Sequence, residues 1–516
     1  MRTFVDELLA HGRSTPGRVA LSTPEGDVGY GELADRIEAL TARLVERGAG
    51  AERVCAIAVD RGADAVVAMA AVLRAGAAFL TLDVEQPPAR LAALVASGGA
   101  ELLLTTEDLA GRLDLPVPGE PLLIGHGPGE HPRSAARPVG GEGPFDAAPA
   151  SPRAAIAPDA LAYVSHTSGT TGEPSAVLVE HRGLDSYLRF VARDYGLGAD
   201  TVALQVAPLG YDASIRDTFA PLLAGGRLVL VPRSRLLRPE GFAAAVREHG
   251  VNTLLSVTPS FLTHLAAQPN AGELFAGIRL AVSSGESLRP FLTAGGRPLI
   301  DGSLVNQYGP TECTMTSTRH PVPTVPELGA DVVGRPIDGV VVRLLDPDLA
   351  PVADGEAGEV YIGGVGVARG YRGRPARTAE RFVPDPLGPP GARLYRTGDL
   401  AAAGPDGLRY LGRIDRQVKI RGYRVDPAEV ESALLTHQDV TGAVVTAATD
   451  PQGRVYLVAH VTGDLEEVKD AALRTHLGRT LPPYLMPRRF DRLAELPTNR
   501  SGKADRRALA EAGGAR

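Results

Sequence analysis

Leu161-Ala-Tyr-Val-Ser-His-Thr-Ser-Gly-Thr-Thr-Gly172 joins a strand-like apolar run to a loop of two glycines, three threonines and a serine. Glycines let the backbone double back so that N–H groups converge, and the hydroxyls add donors. Thr167, Ser168, Gly169, Thr170, Thr171 and Gly172 together suit a phosphate chain. The loop is not of the Walker type, because a Gly-Lys-Ser/Thr ending is absent. Taken alone, the six residues also read as a polar surface turn.

Outward from this loop, short apolar runs alternate with helical patterns. Val54-Cys-Ala-Ile-Ala-Val59 reads as a buried strand and Ala63 to Ala75 as the Ala-rich helix after it. Leu102-Leu-Leu-Thr105, Leu228-Val-Leu-Val231 and Leu280-Ala-Val-Ser283 read as further strands. This alternation predicts an α/β architecture with largely parallel sheets. The stretch from about Gly125 to Ala157 is rich in Pro, Gly and Ala and reads as a surface linker or insertion. Beyond Gly412-Arg-Ile-Asp-Arg416 come a helix (Pro427 to Leu435), strand patterns (Gly442 to Ala447, Val455 to Val461), another helix and a polar tail. About a hundred residues suffice for a small α+β lobe.

The 516 residues exceed one ordinary core, so two or more domains are expected. A net charge of -7, with 22% charged and 44% hydrophobic residues, is that of a soluble globular protein without a basic field for nucleic acid or an anionic membrane. Two distant cysteines, Cys55 and Cys313, give neither a disulfide framework nor a metal cluster, so a reducing cytoplasm is expected. Acids stand near the N-terminus where a signal peptide has an apolar run, and no apolar stretch is long enough to span a membrane.

Two further motifs carry chemistry. In Tyr308-Gly-Pro-Thr-Glu312 a Tyr can stack on a base, a Thr can bond phosphate and a Glu can hold Mg²⁺ through hard oxygens. In Tyr395-Arg-Thr-Gly-Asp399 a carboxylate on a tight turn can accept bonds from ribose hydroxyls. Each alone is also an ordinary turn. Around them lie Leu73-Arg-Ala-Gly-Ala-Ala-Phe79, Gly358-Glu-Val-Tyr-Ile-Gly-Gly364 with Ala368-Arg-Gly-Tyr371, Gly412-Arg-Ile-Asp-Arg-Gln-Val-Lys-Ile-Arg-Gly422, Leu481-Pro-Pro-Tyr-Leu-Met-Pro487 and Ser501-Gly-Lys-Ala-Asp-Arg506. This ordered series resembles that of the adenylate-forming superfamily. It is most similar to the amino acid adenylation domains of non-ribosomal peptide synthetases and their stand-alone relatives, from about residue 4 to residue 510.

The resemblance implies a large N-terminal multi-sheet domain, residues 1–414, holding the ATP and amino acid sites. It implies a small mobile lobe, residues 415–516, carrying a catalytic lysine. On this likeness Thr167 to Gly172 close over the ATP phosphates, with Gly285 and Asn306 in the same nucleotide site. Tyr308 lies against adenine, Thr311 near the α-phosphate and Glu312 on Mg²⁺. Asp399 and Arg413 hold the ribose, Asp415 marks the hinge, Lys419 serves the second step and Lys503 is the catalytic cation. A cation at the carboxylate and α-phosphate stabilises the charge that gathers there during in-line attack.

Tyr211-Asp-Ala-Ser-Ile-Arg-Asp217 matches the segment where amino-acid-activating members place an aspartate. Asp212 is expected to bond a substrate ammonium; a helix cap is its alternative. The other pocket positions are Ala213, Arg216, Ser256, Val282, Ser284, Gln307, Met315 and Thr316. An inward Arg216 implies an acidic or dicarboxylic amino acid, unless it pairs with Asp212, Asp217 or Glu286. Length and motif order also resemble stand-alone enzymes that load β-amino acids, and a β-amino or unusual small amino acid is the favoured expectation. The family usually continues its phosphate loop Gly-x-Pro-Lys-Gly, whereas Gly172-Glu-Pro-Ser-Ala176 has Ser175 in place of the lysine. His166 or another cation is expected to compensate, with slower or weaker ATP use. Transfer is expected to the phosphopantetheine of a separate carrier protein, because no carrier or condensation motif is present. The alternatives are an acid–CoA ligase of the same superfamily and a non-catalytic nucleotide-binding homologue.

Overall fold

A computed structural model describes residues 1–125, 155–168, 174–450, 453–465, 468–497 and 504–514. Most of the expected linker, the loop residues Gly169, Thr170, Thr171 and Gly172, and Lys503 lie outside the described residues.

Val54–Ala58 is a strand buried along its whole length. It pairs in parallel with Ala78–Thr81 on one side and Leu102–Thr105 on the other. A continuous β-branched and aliphatic run is what a strand covered on both faces requires. Ala63–Arg74 follows it, and small Ala side chains let Ala65 to Leu73 be buried without a break. The strand Leu161–Thr167 continues this seven-stranded sheet through parallel pairing with Ala78–Thr81, and Ser175–Glu180 returns beside it antiparallel. Thr167 stands opposite Ser175 at the end of that pair.

A second, 14-stranded sheet carries the other motifs. Arg227–Val229, Val202–Leu204, Thr253–Val257, Leu280–Ser284 and Ser303–Tyr308 run parallel. From Ser303–Tyr308 onward the pairing turns antiparallel through Thr318–Val322, Asp331–Pro336, Gly407–Arg413, Arg393–Gly404, Ala357–Gly364 and Val340–Leu345. The expectation of largely parallel sheets therefore fails for half of this sheet.

After Ile414, Val418–Ile420 and Tyr423–Val425 form a two-stranded hairpin. Helix Pro427–Leu434 follows, capped by the Asp426 carboxylate at the amide of Ala428 (3.1 Å). Val440–Thr449, Val455–Gly463 and Arg489–Arg492 form a three-stranded sheet. Residues from Ile420 to Phe490 close an apolar cluster of their own. This lobe meets the rest of the chain through a buried Arg90–Glu429 ion pair and a ring stack. Tyr423 and Tyr484 lie parallel at 3.9 Å, with Tyr211 tilted against Tyr423 at 4.7 Å.

Cys55 and Cys313 are buried and free, and burial pushes the Cys55 thiol up to about 12. No helix of the described residues is long and apolar enough to cross a membrane.

Candidate active site

Strand ends of the large sheet and the first turns of helix Ala213–Leu223 bring the expected pocket residues together. Ser284 lies opposite Gln307 in the parallel pair of strands, so their side chains share a face. Arg216, four residues into the helix, is 1% exposed and reaches that face. Its Nε donates to Ser256 Oγ (3.0 Å) and its terminal nitrogens to Ser256 Oγ (2.9 Å), Tyr187 Oη (3.0 Å), Ser284 Oγ (3.4 Å) and Gln307 Oε1. Thr316 Oγ1 donates to the same Gln307 oxygen (3.1 Å). All these partners are neutral.

None of the three carboxylates that could cancel Arg216 does so by direct pairing. Asp217 accepts from the amides of Val206 and Ala207, both at 2.9 Å, and acts on Arg216 only through space. Glu286 accepts from the amide of Ser260 (3.0 Å). Asp212 Oδ2 is buried and has no hydrogen-bond partner among the described residues. The Asp212 side chain has a bond from the Ala213 amide at the start of its helix but makes no cap to the amides beyond. Burial raises its carboxyl above the usual range, and a bond from Thr311 offsets this in part.

Ser256 Oγ donates to Ala213 O (3.0 Å), which ties the start of the helix to the sheet. Val282 and Met315 are packed in the main apolar core. Thr314 and Met315 both have left-handed backbone, φ 57° and 70°. Such conformations cost about 1 kcal/mol or more for residues with side chains. The bond from Thr314 Oγ1 to Gly366 O (2.7 Å) helps hold the turn that delivers Thr316.

The remaining expected residues form two groups. Tyr308 Oη donates to Asp399 Oδ2 (2.7 Å), while Arg413 pairs with Asp399 Oδ1 (2.6 Å). Arg413 also bonds both oxygens of Asp415 at 2.7 Å, so Asp415 is joined to the Asp399 group by one guanidinium. Asn306 donates to Val332 O (2.8 Å) and leaves its own buried oxygen without a partner. Glu312, fully buried, pairs with Arg424 (3.0 Å) and accepts from Tyr371 Oη (2.7 Å). Gly285 (φ 93°) faces Gly422, whose Cα stands 3.3 Å from where a side chain at Gly285 would begin.

Thr167 Oγ1 is buried without a partner among the described residues, and Ser168 Oγ donates to Arg424 O (2.7 Å). His166 does not replace the missing loop cation. It bonds Ser97 Oγ (2.9 Å), and burial, with Arg90 adding repulsion, brings it down to about 3, so it is neutral. Arg377 donates to Ser175 Oγ (2.8 Å) and lies over the Tyr371 ring (4.9 Å).

The sequence profile described as AMP-binding enzyme matches residues 8–372, and that of the AMP-binding enzyme C-terminal domain matches residues 429–503. The chain belongs to the AMP-binding enzyme family. This AMP-binding enzyme is 40% identical over 98% of its length to phosphinothricin tripeptide synthetase PhsC of Streptomyces viridochromogenes, covering 45% of that protein. It is 35% identical over 96% of its length to a dimodular nonribosomal peptide synthase of Bacillus subtilis, covering 20% of it. The chain thus spans less than half of the length of these curated relatives. Among solved structures, a non-ribosomal peptide synthetase protein containing adenylation and PCP domains, bound to a vinylsulfonamide inhibitor, superposes with TM-score 0.80. Identity there is 29%, over 98% of this chain and 84% of that one. An amide bond synthetase of Marinactinospora thermotolerans shares the fold at TM-score 0.82, with 24% identity over 99% of each chain.

Within this AMP-binding enzyme, Tyr187, Tyr195 and Arg377 are the site residues that motif reading missed. Tyr187 comes from helix His181–Asp194, and Gln307 Nε2 donates to Tyr195 just beyond it. Both look like core aromatics in the sequence, and only their hydroxyls' bonds reveal the pocket. No group of three or more His, Cys, Asp or Glu able to hold a metal exists among the described residues. A single buried carboxylate such as Glu312 instead fits a Mg²⁺ ion carried largely by nucleotide phosphates.

Proposed function

We propose that this AMP-binding enzyme joins the carboxylate of an amino acid to AMP and then passes the aminoacyl group to the phosphopantetheine thiol of a carrier protein. In the first step a carboxylate oxygen forms a bond to the α-phosphorus of ATP, and the bond to pyrophosphate breaks. In the second, a thiolate forms a bond to the acyl carbon, and AMP leaves. The observation that carries this reading is the buried, unpartnered Asp212 oxygen beside Thr311. A substrate ammonium satisfies that oxygen, and the carboxylate of the same amino acid is then directed toward Thr311 and the nucleotide. A plain carboxylic acid leaves it orphaned, which disfavours the acid–CoA ligase.

Thr167 to Gly172 and Thr311 bond the phosphates; Gly285, Asn306 and Tyr308 border the base; Asp399 and Arg413 take the ribose hydroxyls. Glu312 holds Mg²⁺, which supplies charge neutralisation to the leaving pyrophosphate. Arg377 and Ser175 stand where the family's loop lysine usually acts, and they moderate the weaker ATP use expected from its loss. The lobe from residue 415 onward brings Lys503 to the carboxylate and α-phosphate, with Asp415 as hinge. The amino acid carries a second acidic group. Arg216, ringed by Ser256, Ser284, Gln307 and Thr316, receives it, which favours an acidic member among the β-amino and unusual small amino acids expected. Whether its amine is α or β follows from how far Asp212 stands from the reacting carboxylate.

Amino-acid-dependent ATP–pyrophosphate exchange tests the reaction. Exchange is expected with an amino acid, with AMP formed on addition of a phosphopantetheinylated carrier protein. Lys503→Ala is expected to lower the exchange rate by about 10²–10³-fold, the usual cost of one preorganised charge. Exchange supported only by acids lacking an amine, or unaffected in that variant, contradicts the reading.

A further inference from the structure

Arg216 meets three buried side chains from other parts of the chain: Tyr187 of helix His181–Asp194, Gln307 of strand Ser303–Tyr308, and Thr316 beyond that strand. An arginine only donates, so the Gln307 atom that faces it is the carbonyl oxygen. The amide nitrogen is thereby turned to Tyr195 Oη, to which it donates. Thr316 Oγ1 gives its one hydrogen to the same Gln307 oxygen (3.1 Å). Across the 3.0 Å contact between Thr316 Oγ1 and Tyr187 Oη, Thr316 must then accept and Tyr187 donate. Tyr187 Oη in turn accepts from Arg216 Nη1 (3.0 Å). The hydrogens therefore run one way, from Arg216 through Tyr187 and Thr316 to Gln307, and Nη1 closes the circuit on the Gln307 oxygen.

This direction spends the acceptors. Both lone pairs of the Gln307 oxygen are taken, and a long contact from Nη1 (3.5 Å) lies against the second lone pair of Thr316. Nε and one Nη2 hydrogen go to Ser256. What remains is the long contact from Nη2 to the half-buried Ser284 Oγ (3.4 Å). A side-chain acid that displaces this contact meets two donors, Nη2 and the Ser284 hydroxyl. The NH₂ of an amide finds no free acceptor in the circuit, and a buried N–H without one is costly. We propose that Tyr187 is a specificity-determining positioning residue: by donating to Thr316 it fixes the direction of the circuit, which then offers a substrate no acceptor and makes Arg216 select an acid over its amide. This rests on the reading that Arg216 receives an acidic group.

ATP–pyrophosphate exchange in Tyr187→Phe tests it, with two matched sets: aspartate, asparagine and leucine, and glutamate, glutamine and methionine. Phe keeps the aromatic ring, removes the hydroxyl and frees a lone pair on Thr316 Oγ1. In the set whose acid the unmodified protein prefers, the amide is expected to gain about three- to tenfold in kcat/KM, the effect of one hydrogen bond. The acid and the apolar amino acid, which bring no N–H to that lone pair, gain nothing, and KM for ATP stays as it was. An amide that gains nothing, or an apolar amino acid that gains as much as the amide, overturns the proposal; the second is what a merely loosened pocket gives. Arg216→Met separates the two layers. If it lowers the rate with the acid while Tyr187→Phe leaves the acid-to-amide ratio unaltered, only the role of Tyr187 fails. If the unmodified protein prefers neither acid to its amide, the reading of Arg216 fails and the proposal with it.

Discussion

Arg216→Met is expected to lower kcat/KM for a dicarboxylic amino acid in ATP–pyrophosphate exchange by about 10²–10³-fold, while neutral amino acids of similar size gain. Arg216 is buried among hydroxyls, an amide and phenols, and no carboxylate pairs with it directly. Holding a cation in such surroundings costs on the order of several kcal/mol, which an incoming carboxylate offsets. Removing one member of a buried charge pair typically costs about 2–5 kcal/mol, the source of the expected loss. Arg216→Lys keeps the charge but not the planar fork, so intermediate activity is expected. Arg216→Met removes the costly buried charge but leaves Ser256, Tyr187 and Gln307 without a donor, so a stability loss of about 1–3 kcal/mol is expected, with the fold kept. A folded variant whose ratio of rates with acidic and neutral substrates is unchanged from the parent contradicts the assignment.

Asp212→Ala is expected to raise KM for the amino acid by about 10²-fold or more while leaving KM for ATP nearly unchanged. Its free oxygen is the acceptor an ammonium needs, and a charge-assisted bond there is about twice as strong as a neutral one. The deaminated analogue should react poorly in the parent and no worse in the variant, because only the parent leaves a buried carboxylate unpaired. Acidification gives a second readout. Burial raises the Asp212 carboxyl, so it becomes neutral at a higher pH than an ordinary aspartate of about 3.9. The sign follows: amino acid affinity persists above that raised value and declines as pH falls through it. In Asp212→Ala this limb of the pH profile should vanish. Unchanged amino acid KM in the variant removes Asp212 from substrate binding.

The parts of the fold that were legible are those where burial leaves a mark on consecutive residues. Val54–Ala58 and Ala63–Arg74 stand almost where their apolar runs end, because both are enclosed on every side. The antiparallel half of the large sheet was not legible. Strands such as Ala357–Gly364 and Gly407–Arg413 are interrupted by glycine, and each pairs with a near neighbour on one side but a more distant strand on the other, so local pattern says little about their place in the sheet. Site residues inside ordered motifs, such as Tyr308, Asp399 and Arg413, were legible and do meet through short bonds. Tyr187 and Arg377 were not, because each enters the site from a helix whose sequence gives no sign of it. Arg377 stands beside Ser175, whereas sequence alone names His166 or another cation as the compensating charge.

The central claim is that a buried arginine facing the pocket, together with an unpartnered aspartate, selects an amino acid with an anionic side chain. The most direct test compares matched pairs, aspartate with asparagine and glutamate with glutamine, by initial rates of ATP–pyrophosphate exchange in the unmodified protein. The acid of at least one pair is predicted to exceed its amide by about 100-fold or more in kcat/KM, since an amide offers Arg216 no charge. Equal rates within both pairs, or an amide or simple neutral amino acid favoured over every acid, would contradict the account.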